Sequence, residues 1–265
     1  VIDPSCRYID TLRRHPGRGG SASREFRRET WHGVPFEPVA FDQVVREMLA
    51  ATGKCDLRLG VSLAKIEADD NRVRNARFDE GSVIEAAAWV DATGDAALCG
   101  LCGCERLVGQ DPRSRFNEPG APEAARARLN GATLIYRVMP VNMDLVEPLP
   151  AGIPAACWWA SHFPVAAVNA YPNGDRNINM LPTMDGIEAF NLGSPAAYDE
   201  CRRRVAGHWH FIQTNFPEFR RFRLSWIAPM LGVRESWRVI CESMLTENDI
   251  RKGLSGQIAS DIIAI

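Results

Sequence analysis

Apolar residues recur along this chain with two different periods. At Phe41, Val44, Val45, Met48 and Leu49 they share one face of a helix, and Gly53 follows where a C-terminal cap needs a residue free to take positive φ. Over 55–66 they alternate, the pattern of a strand with one covered face. Asp69-Asp70-Asn71 reads as a turn, 73–78 as a second strand, Glu80-Gly81 as a hairpin turn and 83–90 as a third strand. A helix followed by an antiparallel meander is expected here.

The meander runs into Trp89-Val90-Asp91-Ala92-Thr93-Gly94-Asp95. The apolar residues 86–90 read as a short buried strand, Gly94 breaks it, and an Ala-rich helical stretch follows Asp95. A strand, a glycine turn and a helix N-terminus can seat a phosphate or a ribose on backbone N–H groups. An ordinary βα turn has the same spacing.

Further along, 109–131 is polar and rich in Pro and Gly, and reads as a linker. Strands are expected over 132–138 and 166–171 and through Ile178 and Met180, separated by polar or proline-bearing turns, hence an antiparallel layer. Ser194-Pro195 predicts an N-cap with proline at the first helical position, and Tyr198, Cys201, Val205, Trp209 and Ile212 follow on one face. Asn215-Phe216-Pro217 ends that helix. His208 and His210 flank Trp209, point to different faces and cannot form one metal site from the helix alone. Strands at 224–227 and 239–245 flank Gly232-Val233-Arg234-Glu235-Ser236, and Thr246-Glu247-Asn248-Asp249 reads as a turn or a new cap.

Composition narrows the function classes. A formal charge of -2 over 265 residues leaves no electrostatic footprint for nucleic acid, and no apolar run approaches the ~20 residues of a membrane span. The basic run within 5–37 reads as a surface loop with a short helix. Eight scattered cysteines suit a reducing, cytoplasmic setting rather than a disulfide scaffold. Cys99-Gly100-Leu101-Cys102-Gly103-Cys104 has spacing that could ligate zinc or an iron–sulfur cluster, but its small residues equally suit helix packing. His162 lies in an aromatic segment that could line a pocket. Val1 at the start and an apolar run ending at Ile265 lead us to expect a fragment of a longer protein.

Two motifs about 140 residues apart carry a family resemblance. Val90-Asp91-Ala92-Thr93-Gly94-Asp95 matches a V-(I/V)-D-A-T-G-D turn. Gly232-Val233-Arg234-Glu235-Ser236-Trp237-Arg238, then Leu245-Thr246-Glu247-Asn248-Asp249, matches a downstream G-V-R-E-(S/T)-R-R and L-T-E-x-D pair, with Trp237 in place of an arginine. With the helix and hairpin order, the chain resembles the FAD-dependent oxidoreductases of the glutathione-reductase-like superfamily, and is similar to the flavin subunit of heterodisulfide reductase.

That resemblance implies an α/β fold: part of a glutathione-reductase-like FAD-binding domain with its β-meander over 1–108, and an α+β substrate domain with an antiparallel sheet over 109–225. Residues 226–265 would return to the FAD-binding domain. It implies FAD as cofactor, contacted by Ala92, Thr93 and Gly94 near ribose and pyrophosphate, and by Ser62 and Leu63 beside the adenine. Asp95 would cap the next helix or reach a cofactor hydroxyl. Arg234 and Glu235 are the candidates for substrate or flavin contact, or else a structural pair fixing a loop. The partners implied are a small-molecule substrate and a redox partner, with a 4Fe–4S cluster as a minor alternative. The family's G-x-G-x-x-G turn has no match anywhere in the chain. The expected chemistry is hydride or electron transfer through flavin. The alternative is a nucleotide-binding or partner-binding scaffold of the same fold without turnover. A P-loop or S-adenosylmethionine site lacks its own phosphate grip or early glycine turn here.

Overall fold

A computed structural model describes residues 8–10 and 36–253. In chain order the elements are β1 (Tyr8–Asp10), α1 (Pro38–Ala51), β2 (Leu63–Asp69), β3 (Arg72–Phe78), β4 (Val83–Glu85), α2 (Ala97–Leu101), β5 (Arg106–Leu107) and α3 (Arg113–Phe116). Then come β6 (Tyr136–Pro140), β7 (Ala166–Ala170), β8 (Arg176–Met180), α4 (Gly186–Leu192), α5 (Ser194–Asn215) and a 3-10 turn (Pro217–Phe219). β9 (Phe222–Ile227), β10 (Arg238–Val239) and α6 (Glu247–Lys252) complete the order. The basic loop expected within 5–37 falls mostly outside the described residues.

The chain divides into two compact units: Val1–Cys55 with Asn130–Arg234, and Asp56–Leu129 with Glu235–Ile265. The sequence reading divides it after 108 and after 225 instead. Part of the difference lies in β1 and the start of α1, which bond to the antiparallel sheet; the rest lies in 109–129, which goes with the meander, and 226–234, which goes with the sheet. β1 pairs in parallel with β7, and Glu37 at the start of α1 bonds to Arg137 of β6.

In the first unit the sheet runs β1-β7-β8-β6-β9, antiparallel except for β1. Strand alternation sends Tyr136, Val138, Ala166, Val168, Ile178 and Met180 to one face. There they meet Cys201, Val205, Trp209 and Ile212, the buried stripe of α5, closed by Phe219 and Phe222. Each large apolar side chain so buried contributes about 1.5–3 kcal/mol. α5 begins at Ser194 with proline in its first turn, and its N-cap is Gly193 rather than Ser194, so no hydroxyl caps it. The sequence reading missed α4, which Asp185 caps by accepting from the Ile187 and Glu188 amides. Arg204, buried on α5, bonds Glu188 of α4 at 2.5 Å, Glu200 at 3.0 Å and the Thr183 carbonyl. Burial works against its charge, but the two carboxylates more than offset it and raise its pKa. The triad fixes α4 against α5.

In the second unit β2, β3 and β4 form the expected meander. Asp70 and Asn71 both take positive φ, the conformation a two-residue hairpin turn demands and Asn tolerates. Three expected strands are corrected. The strand expected over 55–66 begins only at Leu63, and Leu57 and Leu59 before it are exposed. β4 ends at Glu85, and 86–90 is not a buried strand: Val90 is 86% exposed. A strand covered on both faces needs neighbours on both edges, and among the described residues none pairs with this run. The 239–245 strand shrinks to β10 (Arg238–Val239), which among the described residues pairs with β5 alone. Thr246 does start a helix, through a reciprocal capping box with Asp249.

Candidate functional site

The turn at 91–95 is held from inside. Asp91 Oδ1 accepts from the Thr93 amide (3.1 Å) and hydroxyl (2.7 Å), and its Oδ2 accepts from the Cys99 amide at 3.0 Å. Thr93 Oγ1 in turn accepts from the Ala97 amide at 2.9 Å. So Asp91 and Thr93 cap α2, and Asp95 does not. The reason is geometric: Ala96, the residue before α2, is left-handed at φ 52, and Asp95 bonds elsewhere. Partial burial would raise the Asp91 carboxyl, but these three donors outweigh it and bring it down to about 2.

Because the Thr93 hydroxyl both donates and accepts, Thr93→Val removes two bonds and keeps the shape. We expect a loss of about 1 kcal/mol in the stability of this turn. Faster hydrogen exchange at the Ala97 amide would register it; unchanged exchange would refute the capping role.

The downstream motif closes on this turn. Ser236 Oγ donates to Asp95 Oδ1 at 2.5 Å and to the Gly94 carbonyl at 3.3 Å. Trp237, standing where the family pattern has arginine, receives the Arg106 guanidinium over its ring at 4.6 Å. Arg106 reaches it across Gly100, where a Cβ would lie 2.4 Å from that guanidinium, so the small residues of α2 serve packing. Arg238 bonds the Gly109 carbonyl at 2.6 Å and Asp111 at 2.9 Å. None of Arg106, Gly109 and Asp111 stands out in the sequence, since nothing local marks a residue whose partner lies some 130 positions away.

Arg234 and Glu235 are exposed, adjacent residues at the passage from the first unit to the second. At the other proposed contact, both Ser62 backbone groups bond Asp79: its amide to Oδ1 at 3.1 Å, its carbonyl to the Asp79 amide at 2.9 Å. Among the described residues β2 is an edge strand, with one side of its ladder unpaired. Cys99 is pushed up to about 11 by burial and by the Asp91 carboxylate, and Cys102 is raised by burial and by Cys104. They are neutral thiols at physiological pH, not poised nucleophiles. Among the described residues no group of three or more His, Cys, Asp or Glu is arranged to hold a metal ion.

Whether these residues suit a flavin nucleotide can be tested on the geometry. Gly94 lies at φ 80 with nothing within 4 Å of where a Cβ would stand, so a ligand can approach its backbone closely. Next to the turn, a cleft of about 730 Å³ is lined by Arg72, Arg74 and Glu85, by 86–88 and by Trp89. Among the described residues the buried indole N–H of Trp89 has no acceptor. The open backbone at Gly94 and the Arg72 guanidinium fit one wall of an anionic nucleotide site, while Arg74 is paired with Asp69 and Glu85 shares the cleft. The N-terminus of α2 does not fit a pyrophosphate seat, since its amides at Ala97 and Cys99 are already taken.

A mixed α/β protein with antiparallel sheets, presenting an open glycine turn that a distant segment closes, is the architecture in hand. A family model described as FAD dependent oxidoreductase matches residues 7–265, and the chain belongs to that family. Its cofactor is FAD and its class that of the flavin oxidoreductases. No curated protein and no solved structure matches the chain. No described helix is long and apolar enough to cross a membrane.

Proposed function

We propose that the protein moves a hydride or electrons between FAD and a small-molecule substrate, within a glutathione-reductase-like architecture. The observation that carries this reading is the closure of the 232–238 motif on the 91–95 turn through Ser236. Two segments 141 residues apart, each of flavoprotein type, meet at one place. FAD, when bound, supplies the redox chemistry, and the protein supplies position and electrostatics.

This chain's own part is assigned as follows. Ala92, Thr93 and Gly94 offer backbone to the ribose and pyrophosphate, Asp95 stands beside them held by Ser236, and the edge of β2 at Ser62 and Leu63 faces the adenine. Arg234 brings a guanidinium fork suited to a carboxylate or a flavin carbonyl, with Glu235 beside it in sequence. The main pyrophosphate cradle is assigned to chain outside these 265 residues, because the sequence has no G-x-G-x-x-G and the α2 amides at Ala97 and Cys99 already have acceptors.

Gel filtration separates the parts of this reading. With added FAD, the 265-residue chain should elute colourless and the whole flavoprotein yellow. Stoichiometric flavin on the 265-residue chain would overturn the assignment of the cradle. In the whole protein, bleaching of bound flavin under anaerobic substrate supports turnover. Tight binding with no reduction by any donor would favour a non-catalytic scaffold.

A further inference from the structure

The two faces of the five-stranded sheet differ in chemistry. On the face away from α5, Asn169, Asn177, Arg137 and Trp226 stand in register: 169 opposite 177, 177 opposite 137, and 137 opposite 226. Alternation sets this row against the side that carries Tyr136, Val138 and Ile178. Among the described residues, the buried Arg137 Nε of this row has no hydrogen-bond partner.

The start of α1 borders this face, leaving a cavity of about 560 Å³, within the range of small-molecule pockets. Its apolar walls are Pro38, Val39, Trp226 and Pro229. Its charged groups are Glu37, Asp42, Asp175 and Arg137. Asp42 is neutralised by Arg46, one turn along α1, at 2.7 Å. The Arg137 guanidinium stacks on the Tyr171 ring at 4.1 Å and bonds Glu37 at 2.8 and 3.1 Å, with Asp175 at 3.8 Å. Among the described residues one cation therefore serves two carboxylates, which leaves a surplus negative charge next to an indole. An incoming carboxylate would compete with Glu37 and Asp175 for the same guanidinium. An incoming cation would complete the set.

We propose that this cavity is the substrate pocket and that it takes an organic cation with an apolar body, an amine of roughly arylalkyl size. The ammonium group lies against Asp175 and Glu37, and the body rests on Trp226 and Val39. Its role as a substrate pocket rests on the flavin reading above; its preference for a cation does not.

Calorimetry on the whole protein tests this with two probes of equal bulk, 2-phenylethylammonium and 3-phenylpropionate. The expected result is at least ~tenfold tighter binding of the ammonium probe, reduced to within about threefold by Asp175→Asn. Trp226→Leu should weaken both probes together. Asp144→Asn, which removes an exposed carboxylate that pairs with Arg221, should change nothing. Equal binding, preference for the carboxylate, or a preference untouched by Asp175→Asn would overturn the proposal. Flavin reduction is a separate readout. Ammonium binding with no bleaching by any substrate would sink the redox reading and leave the pocket standing.

Discussion

Between pH 6.5 and about pH 4.5 the stability of the sheet–α5 unit should fall by about 1.4 kcal/mol per pH unit as the medium is acidified. The cause is one residue. His208 of α5 is wholly buried among aromatic rings, with Tyr136, Phe163 and Phe211 around it and its Nδ1 2.8 Å from the Tyr136 hydroxyl. Its Nε2 makes no hydrogen bond of normal geometry, and the nearby Pro164 backbone offsets only part of the burial penalty. Burial therefore lowers its pKa from 6.5 to about 3. Below pH 6.5 the unfolded chain takes a proton at this position and the folded chain does not, so the unfolded state gains. The loss continues down toward the folded pKa and reaches on the order of 4 kcal/mol there, a large share of a domain's usual stability.

The lowered carboxyls, Asp91 and Glu200 among them, join in only below their ordinary values near 4, so the range above 4.5 isolates His208. Urea titrations at half-unit intervals should show the midpoint moving with pH in the wild type. His208→Asn keeps a partner for the Tyr136 hydroxyl; its midpoint should be lower throughout but nearly flat over the same range. A wild-type midpoint that does not move between pH 6.5 and 4.5 would remove the explanation.

The second large effect belongs to the other unit. Gly109→Ala should destabilise it by about 3 kcal/mol, from two separate causes. Gly109 takes φ 83, where any side chain is strained, and a Cβ there would lie 2.5 Å from the Arg126 carbonyl oxygen. That oxygen cannot retreat cheaply, because it accepts from the Gln110 amide at 2.9 Å within a bridge closed in both directions. The Gly109 carbonyl is also the acceptor for Arg238. The substitution should therefore loosen the downstream motif as well as lower the unfolding midpoint. In the whole protein we expect weaker flavin retention, while Gly81→Ala, at φ 95 in an open hairpin turn, should cost only its backbone strain. Equal losses from the two substitutions would show that the contact with Arg126 does not matter.

Periodicity carried much of this fold. The 3.6-residue spacing of Cys201, Val205, Trp209 and Ile212 located α5 and its buried face, and the Asp-Asn and Glu-Gly turns located the meander. Both are local patterns, so the residues that define them are neighbours in the chain. The run 86–90 misled for the same reason. Its composition records a demand for cover on both faces, but whether neighbouring strands supply it is not a local property. Asp95 misled as a cap because the identity of a cap depends on which side chain the turn aims at the helix. The left-handed step at Ala96 hands that role to Asp91 and Thr93.

The sequence, through its resemblance to the flavoprotein family, was enough to single out the 91–95 turn and the 232–238 segment together, since each matches an ordered motif of that family. That Ser236 is the contact, that Arg106 stacks on Trp237, and that Arg238 ties to Gly109 were decided by the fold. So was the alignment of Asn169, Asn177, Arg137 and Trp226 on one sheet face. Register between strands tens of residues apart is chosen by which pairing buries Tyr136, Val138 and Ile178 against α5. The polar face is what that choice leaves on the other side.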